Sequence, residues 1–269
     1  MQDAYNLGWK LAAVLQGRSP AALLHTYSAE RQRIAQDLID FDKDFARTIG
    51  GKHSGEGEGG LDSAEVARRF QEAGRFTAGV ATHYPAGPLV GPGTHQGLAA
   101  GFSIGMRLHS APVLRVADAK PMHLGHVHTA DGRWRIYLFA PADGLGPGSR
   151  AAAWCDAVAP IVARSAPAGG DLDAVVDVRA VTQASWQDLE VGDVPPLLRP
   201  TTGRLGLTDY EKVFSSVTPT GDDVYDLRGV SREEGAVVVV RPDQYVAHVL
   251  PLDATDELGE FFARFTTQR

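Results

Sequence analysis

Val237-Val238-Val239-Val240, then Arg241-Pro242-Asp243-Gln244, then Tyr245-Val246-Ala247-His248-Val249-Leu250, is the stretch that decides the fold. Two β-branched, apolar runs flank four residues with a proline among them, and this pattern predicts a β-hairpin with the proline at its turn. Alternation would put Tyr245, Ala247 and Val249 on one face and Val246, His248 and Leu250 on the other. Working outward, Val113–Val116, His126–His128, Arg135–Phe139 and Val175–Val178 are further strand candidates. Ser149 to Arg164 and Asp256 to Phe265 read as amphipathic helices between and after them. Strands interrupted by a helix, then a hairpin and a closing helix, indicate a small α/β domain beginning near residue 102.

The first hundred residues follow a different period. Residues 2–16 read as a helix stopped by Gly17, and Ser19-Pro20 opens a second, longer one. The second helix carries an apolar stripe of Ile34, Leu38, Phe41, Phe45 and Ile49 opposite Gln36, Asp37, Asp40, Lys43 and Asp44. Residues 50–61 are rich in glycine and charge and predict a mobile loop. Asp62-Ser63-Ala64-Glu65 then predicts a capped start for a third helix through Val66, Phe70 and Ala73. From Tyr84 to Gly105, prolines and glycines predict an irregular connection across a surface.

The first helix is unusually apolar. Asp3, Asn6 and Lys10 occupy one narrow face, whereas Tyr5, Leu7, Trp9, Leu11, Val14 and Leu15 cover most of the rest. Leaving five of these six side chains in water costs roughly 8–15 kcal/mol as an upper bound, comparable to a whole domain's stability. The expected cover is the helix carrying Leu38, Phe41 and Phe45, or a second copy of the chain.

The balance of 26 basic against 33 acidic residues, net −7, offers no basic surface for nucleic acid or an anionic membrane. Cys155 is the single cysteine, so no intrachain disulfide is available and a reducing, cytoplasmic setting is expected. No apolar run approaches a membrane span and no signal segment is evident, so no membrane partner is expected.

Four patterns invite a chemical reading, and context weakens each. Gly55-Glu56-Gly57-Glu58-Gly59-Gly60 satisfies a dinucleotide-loop spacing, but a helix precedes it and two glutamates would repel phosphates. Gly101-Phe102-Ser103-Ile104-Gly105 matches a hydrolase elbow, yet a strand rather than a helix should follow. His123, His126 and His128 lack a cysteine or carboxylate partner for a metal, and solvent-exposed rings are the expected arrangement. Cys155, on an apolar helical pattern, reads as a core residue with no second thiol for redox exchange. No catalytic or metal-ligating residue is therefore assigned.

The opening segment Met1-Gln2-Asp3-Ala4-Tyr5-Asn6-Leu7-Gly8-Trp9-Lys10-Leu11 resembles the FAD-dependent aromatic hydroxylases of the phenol hydroxylase and 3-hydroxybenzoate 4-hydroxylase type. The resemblance continues through Leu24-x-x-Tyr27-x-x-Glu30-Arg31, Phe76-Thr77-Ala78-Gly79, Gly105-Met106-Arg107, Asp118-Ala119-Lys120-Pro121 and Arg241-Pro242-Asp243-Gln244-Tyr245-Val246. In that family the opening helix follows the second flavin motif, a Gly-Asp-Ala-Ala-His sequence with Gly-Met-Asn-Thr-Gly. The resemblance thus implies the C-terminal portion of an FAD- and NADPH-dependent monooxygenase acting on a phenol or hydroxybenzoate. Residues 1–101 would be a helical remnant of the FAD/substrate-binding region, and 102–269 a thioredoxin-like α/β dimerisation domain without a Cys-x-x-Cys. It also implies that Met1 and Gln2 fringe the FAD site, that the family's dinucleotide fold and catalytic tyrosine lie in an N-terminal region outside this chain, and that the isolated chain is inactive. The alternative is a stand-alone thioredoxin-like interaction or dimerisation module. A homo-oligomer is expected under either reading.

Overall fold

The centre of the sheet is set by a strand that has no solvent side. In the computed structural model, which describes residues 1–50, 67, 68, 70, 71, 73–75 and 78–267, Trp134–Phe139 (β3) is buried at all six positions. Trp134, Ile136 and Leu138 enter one apolar core, and Tyr137 and Phe139 enter another on the opposite face. A strand covered on both faces belongs in the middle of a layered α/β structure. β3 pairs in parallel with Val176–Thr182 (β4) and antiparallel with Ala236–Val240 (β8). The parallel pair requires a crossover, supplied by the helix Arg150–Ser165 (α3). Ser149 caps that helix, its side chain accepting from the Ala152 amide at 3.1 Å.

The predicted hairpin is present: β8 turns into Val246–Leu250 (β9), and the closing helix Thr255–Ala263 (α5) follows. On the far side lie Val213–Ser215 (β7), Pro112–Arg115 (β1) and Lys120–His123 (β2). The seven strands run in the order β2-β1-β7-β4-β3-β8-β9. A small separate ribbon, Thr201–Thr202 (β5) with Leu207–Thr208 (β6), and the short helix Val224–Arg228 (α4) complete this part. The mixed sheet around a β3–α3–β4 unit, followed by the β8–β9 hairpin and α5, is the thioredoxin-like arrangement expected from the sequence.

Several local expectations are corrected. His126–His128 is not strand: residues 124–127 form a 3-10 turn, and the strand lies earlier, at Lys120–His123. Pro121 obscures that strand in the sequence and is tolerated because β2 is the sheet edge. The strict alternation expected along β9 is broken by an irregularity opposite Val239 and Val240. As a result Val246 joins Tyr245 and Val249 in one core, while Ala247 and Leu250 lie in the other. The segment 84–105 is irregular as expected, but it does not merely cross a surface. Tyr84, Val90, Ala99 and Phe102 are buried and pack against the sheet face that bears Tyr137 and Phe139. The expected loop at 50–61 lies outside the described residues apart from Gly50. So does the start of the third helix, whereas Ala67, Arg68, Phe70, Gln71 and Ala73–Arg75 are helical.

The first helix, Gln2–Leu15 (α1), is covered differently from the sequence-based expectation. Trp9 packs edge-on against Trp134 of the central strand, ring centres 5.7 Å apart, and not against the apolar stripe of the second long helix, His25–Gly50 (α2). Of that stripe, Ile34 is buried and Leu38 is 42% exposed. Leu11 and Leu15, expected to need cover, are exposed in the single chain, and the buried positions of α1 include Asn6 and Lys10. Phe265 stacks on Trp134 at 4.8 Å, and Thr267 N–H donates to the Arg18 carbonyl at 2.9 Å, so both ends of the chain close on one core. Cys155 is buried within it, and burial pushes its thiol up to about 12.

Because α1 and the sheet share this core, Trp9→Ala is expected to lower the stability of the whole chain by about 3–5 kcal/mol in a single transition. Urea unfolding followed by far-ultraviolet circular dichroism and by tryptophan fluorescence checks this. Separate transitions for the helices and the sheet would contradict a shared core.

Candidate functional site: a buried ion cluster joining the first helix to the sheet hairpin

Helical spacing places Asp3, Asn6 and Lys10 along one stripe of α1. Facing it is the β8–β9 turn, closed by Gln244 N–H donating to the Arg241 carbonyl and by Arg241 N–H donating to that of Tyr245, each at 2.9 Å. The turn requires Gln244 to adopt φ +70°, which a non-glycine residue seldom does, and its amide is held by Arg107 at 2.7 Å and by the His128 carbonyl at 3.1 Å.

The Arg241 guanidinium, fully buried, reaches both carboxylate oxygens of Glu30 on α2, Nη1 to Oε1 at 2.6 Å and Nη2 to Oε2 at 2.9 Å. Its Nε and Nη2 donate to Asp243 at 2.9 and 2.8 Å. Glu30 Oε2 also accepts from Lys10 Nζ at 2.7 Å and Asn6 Nδ2 at 2.8 Å. Asn6 returns its Oδ1 to Lys10 at 2.8 Å, and its amide nitrogen lies 3.2 Å from Asp243 Oδ2. Arg31 donates to Tyr84 Oη at 2.9 Å and to Asp3 at 2.5 Å. Tyr5 Oη donates to the Pro242 carbonyl at 2.7 Å. The rings of Tyr84, Trp9 and Tyr245 surround the guanidinium at 4.9, 5.7 and 5.9 Å.

Burial alone would raise the Glu30 carboxyl, but Arg241, Lys10 and the Asn6 amide outweigh it and bring it down to about 2. Burial lowers Lys10 to about 8 against the opposing pull of Glu30, so its ammonium is still the dominant form at neutral pH. A second buried set lies at the starts of β3 and β4. Arg135 meets Asp131 and Asp177 at 2.6 and 2.9 Å, and Lys212 meets Asp173 and Asp177 at 2.7 and 2.6 Å. Its cations and carboxylates pair with one another across the loops and strand starts. Beside α1 a groove of about 1220 Å³ runs between α1, α3 and α5, with Arg18, Arg164, Asp131, Asp256 and Glu260 in its lining.

Met1 stands fully exposed at the start of α1, which has no side-chain cap. The Gln2 side chain lies over Gly79, where an added Cβ would sit 1.8 Å from Gln2 Nε2; only glycine leaves room. Ser103 lies in irregular chain with no helix after it, as its sequence context implied. His123 and His126 are exposed with rings 5.6 Å apart, but His128 is buried, which overturns the expectation of three surface rings. Among the described residues no three His, Cys, Asp or Glu side chains are grouped to hold a metal. The Gly55–Gly60 pattern lies outside the described residues. Sequence reasoning missed Arg241, Asp243, Glu30 and Lys10 as a unit. The available signal was the pair of charges in a turn between two largely apolar strands.

Acid should weaken this cluster in a defined direction. Glu30 has a folded value of about 2 against an ordinary value of 4.5, so the unfolded chain binds more protons between them. The contribution is complete above pH 4.5 and is lost as pH falls towards 2. Glu30→Gln should cost about 3–5 kcal/mol at neutral pH, as expected when one partner of a buried ion pair is removed. It should also flatten the acid limb of stability against pH, with Asp131 and Asp177, also held below their ordinary range by neighbouring cations, supplying what slope remains. Urea titrations of both proteins across that range measure it.

The comparisons with known proteins divide along the same line that the cluster bridges. Residues 82–269 match the family described as phenol hydroxylase, C-terminal dimerisation domain, and residues 1–42 match an FAD binding domain family. The chain is 50% identical to 3-hydroxybenzoate 4-monooxygenase from Comamonas testosteroni, over 98% of this chain and 42% of that protein. It is 31% identical to a phenol 2-monooxygenase from Aspergillus fumigatus, over 97% and 43% respectively. It therefore spans less than half the length of these curated relatives. Two solved structures share the fold: the flavin-dependent monooxygenase PieE in complex with FAD and substrate (22% identity, TM-score 0.53, 98% of this chain and 43% of that one), and aklavinone-11 hydroxylase with FAD and aklavinone (20%, 0.53, 97% and 38%). With more than half of its length matched by the dimerisation-domain model, the chain belongs to the phenol hydroxylase family.

Proposed function

We propose that this chain is the C-terminal part of an FAD- and NADPH-dependent monooxygenase that hydroxylates a phenol or hydroxybenzoate. Residues 1–101 would complete the flavin/substrate region, and residues 102–269 would pair subunits. The observation that carries the reading is the nearly end-to-end alignment, at 50% identity, with a 3-hydroxybenzoate 4-monooxygenase. The match of residues 1–42 to an FAD binding domain family supports it independently.

The residues present fit one edge of a flavin site. The start of α1 has backbone N–H groups without a side-chain cap, and the first-turn Asp3 is already paired with Arg31, so its charge does not oppose an anionic group. Met1 and Gln2 are the positions that would border the cofactor, with Gln2 oriented by its seat on Gly79. When bound, the flavin supplies electron transfer from NADPH and oxygen activation for hydroxylation. The chain's own part is to hold that edge in place from α2 and from the hairpin.

The setting we propose is cytoplasmic. Among the described residues no helix is long and apolar enough to cross a membrane. The homo-oligomer expected from the sequence has a physical motive in Leu11 and Leu15, which the single chain leaves exposed.

Purification of this chain and of the full-length protein carrying it tests the reading. The isolated chain should be colourless after desalting. The full-length protein should retain FAD and consume NADPH with net hydroxylation of a 3-hydroxybenzoate or a simple phenol. A colourless full-length protein that nevertheless self-associates would favour a stand-alone dimerisation module.

A further inference from the structure

We propose that Arg241 and Asp243, which lie in the dimerisation-domain part of the chain, are positioning residues for the flavin-binding part. This inference rests on the function proposed above and assigns the hairpin turn a role in cofactor binding besides that of a domain core. The segment that matches the FAD binding domain family contains α1 and Glu30. Besides the bonds within the segment, three of its polar side chains are held from outside it. Both Glu30 oxygens are taken by Arg241, 211 positions downstream; Asn6 lies against Asp243 and Tyr84; Tyr5 donates to the Pro242 carbonyl. Asp243 in turn orients the guanidinium, and three aromatic rings confine it.

Stability alone does not call for such a device. Burying a guanidinium with two carboxylates costs about as much as the attraction returns, and well-packed apolar side chains serve cohesion as well or better. A bidentate arginine provides direction: two parallel hydrogen bonds fix the plane of Glu30, and Glu30 then fixes where Lys10 and Asn6 draw α1. The helix whose first residues would border the flavin is thus placed by a turn of the thioredoxin-like sheet. A shift of that turn moves the flavin edge.

The test uses the full-length flavoprotein with Arg241→Met, Arg241→Lys, Asp243→Asn and Tyr5→Phe. Equilibrium FAD affinity and the visible circular dichroism of the bound flavin are measured alongside the thermal melting of each apoprotein. Arg241→Met is expected to weaken FAD binding by about tenfold or more and to change the flavin dichroism. Arg241→Lys should fail to restore either, because an ammonium cannot fork between both Glu30 oxygens. Asp243→Asn and Tyr5→Phe, which preserve shape, keep the test open if the arginine variants do not fold. Each should weaken FAD binding by about threefold to tenfold, with a flavin dichroism altered in the same sense as Arg241→Met. Folded Asp243→Asn and Tyr5→Phe proteins that hold FAD within about twofold of wild type, with an unchanged flavin spectrum, would overturn the inference while leaving the proposed function standing. A wild-type full-length protein that binds no FAD would overturn both.

Discussion

A guanidinium taken wholly out of water must be met by negative charge, and Arg241 is met from two directions. Asp243 comes from its own turn, and Glu30 comes from a helix more than two hundred residues earlier in the chain. Much else follows from that requirement. Glu30 can remain ionised while largely buried because Arg241 and Lys10 share it, and Lys10 can keep its proton at neutral pH because Glu30 and Asn6 accept from it. α1 must then present Asn6 and Lys10 inward, so Leu11 and Leu15 turn towards solvent and Trp9 falls onto Trp134. The orientation of one helix is in this sense a consequence of charge balance, with apolar packing filling in around it.

The sheet supplies the frame against which the charges are set. β3 is buried on both faces, and its parallel neighbour is reached by a capped crossover helix, so the hairpin that follows is added to an already rigid layer. Placing Arg241 at the end of β8 gives it the precision of a strand, and the Gln244 left-handed turn with its Arg107 bond keeps the loop from swinging. The second ion cluster, around Asp177 and Lys212, performs the corresponding task at the starts of β3 and β4, where neighbouring strands bring like and unlike charges to adjacent positions. The two networks differ in reach. The one around Asp177 stays within the sheet and its adjoining loops, whereas the one around Arg241 joins the matches to two different families.

Local pattern and tertiary contact divide the responsibility for this molecule. The hairpin, β3, β4, α3 and α5 are legible because each is an apolar or amphipathic period bounded by a cap or a turn, and their order along the chain is enough to indicate a small α/β domain, which the family resemblance narrows to the thioredoxin-like fold. The resemblance of the opening residues to flavin-dependent aromatic hydroxylases is legible for a similar reason: it resides in contiguous words. β7 is three residues long and β2 contains a proline, so neither offers a period to read; they become strands because β4 and β1 provide ladders for them. His126–His128 alternates like a strand but closes as a 3-10 turn, and the irregularity in β9 exchanges the faces of Val246 and Ala247.

The same division holds for the candidate site. The sequence alone determined that Asp3, Asn6 and Lys10 share a stripe and that Arg241 and Asp243 share a turn, because spacing along a helix or through a hairpin is a local property. It also determined that Cys155 is a lone thiol in an apolar setting. Only the tertiary structure decided that the stripe and the turn meet, that Asn6 and Lys10 of that stripe are buried, and that Trp9 rests on the central strand and not on α2. An apolar-moment argument assigns the polar face to water by default. That default fails where carboxylates and cations from distant segments satisfy one another, and no local pattern records which distant charge will arrive.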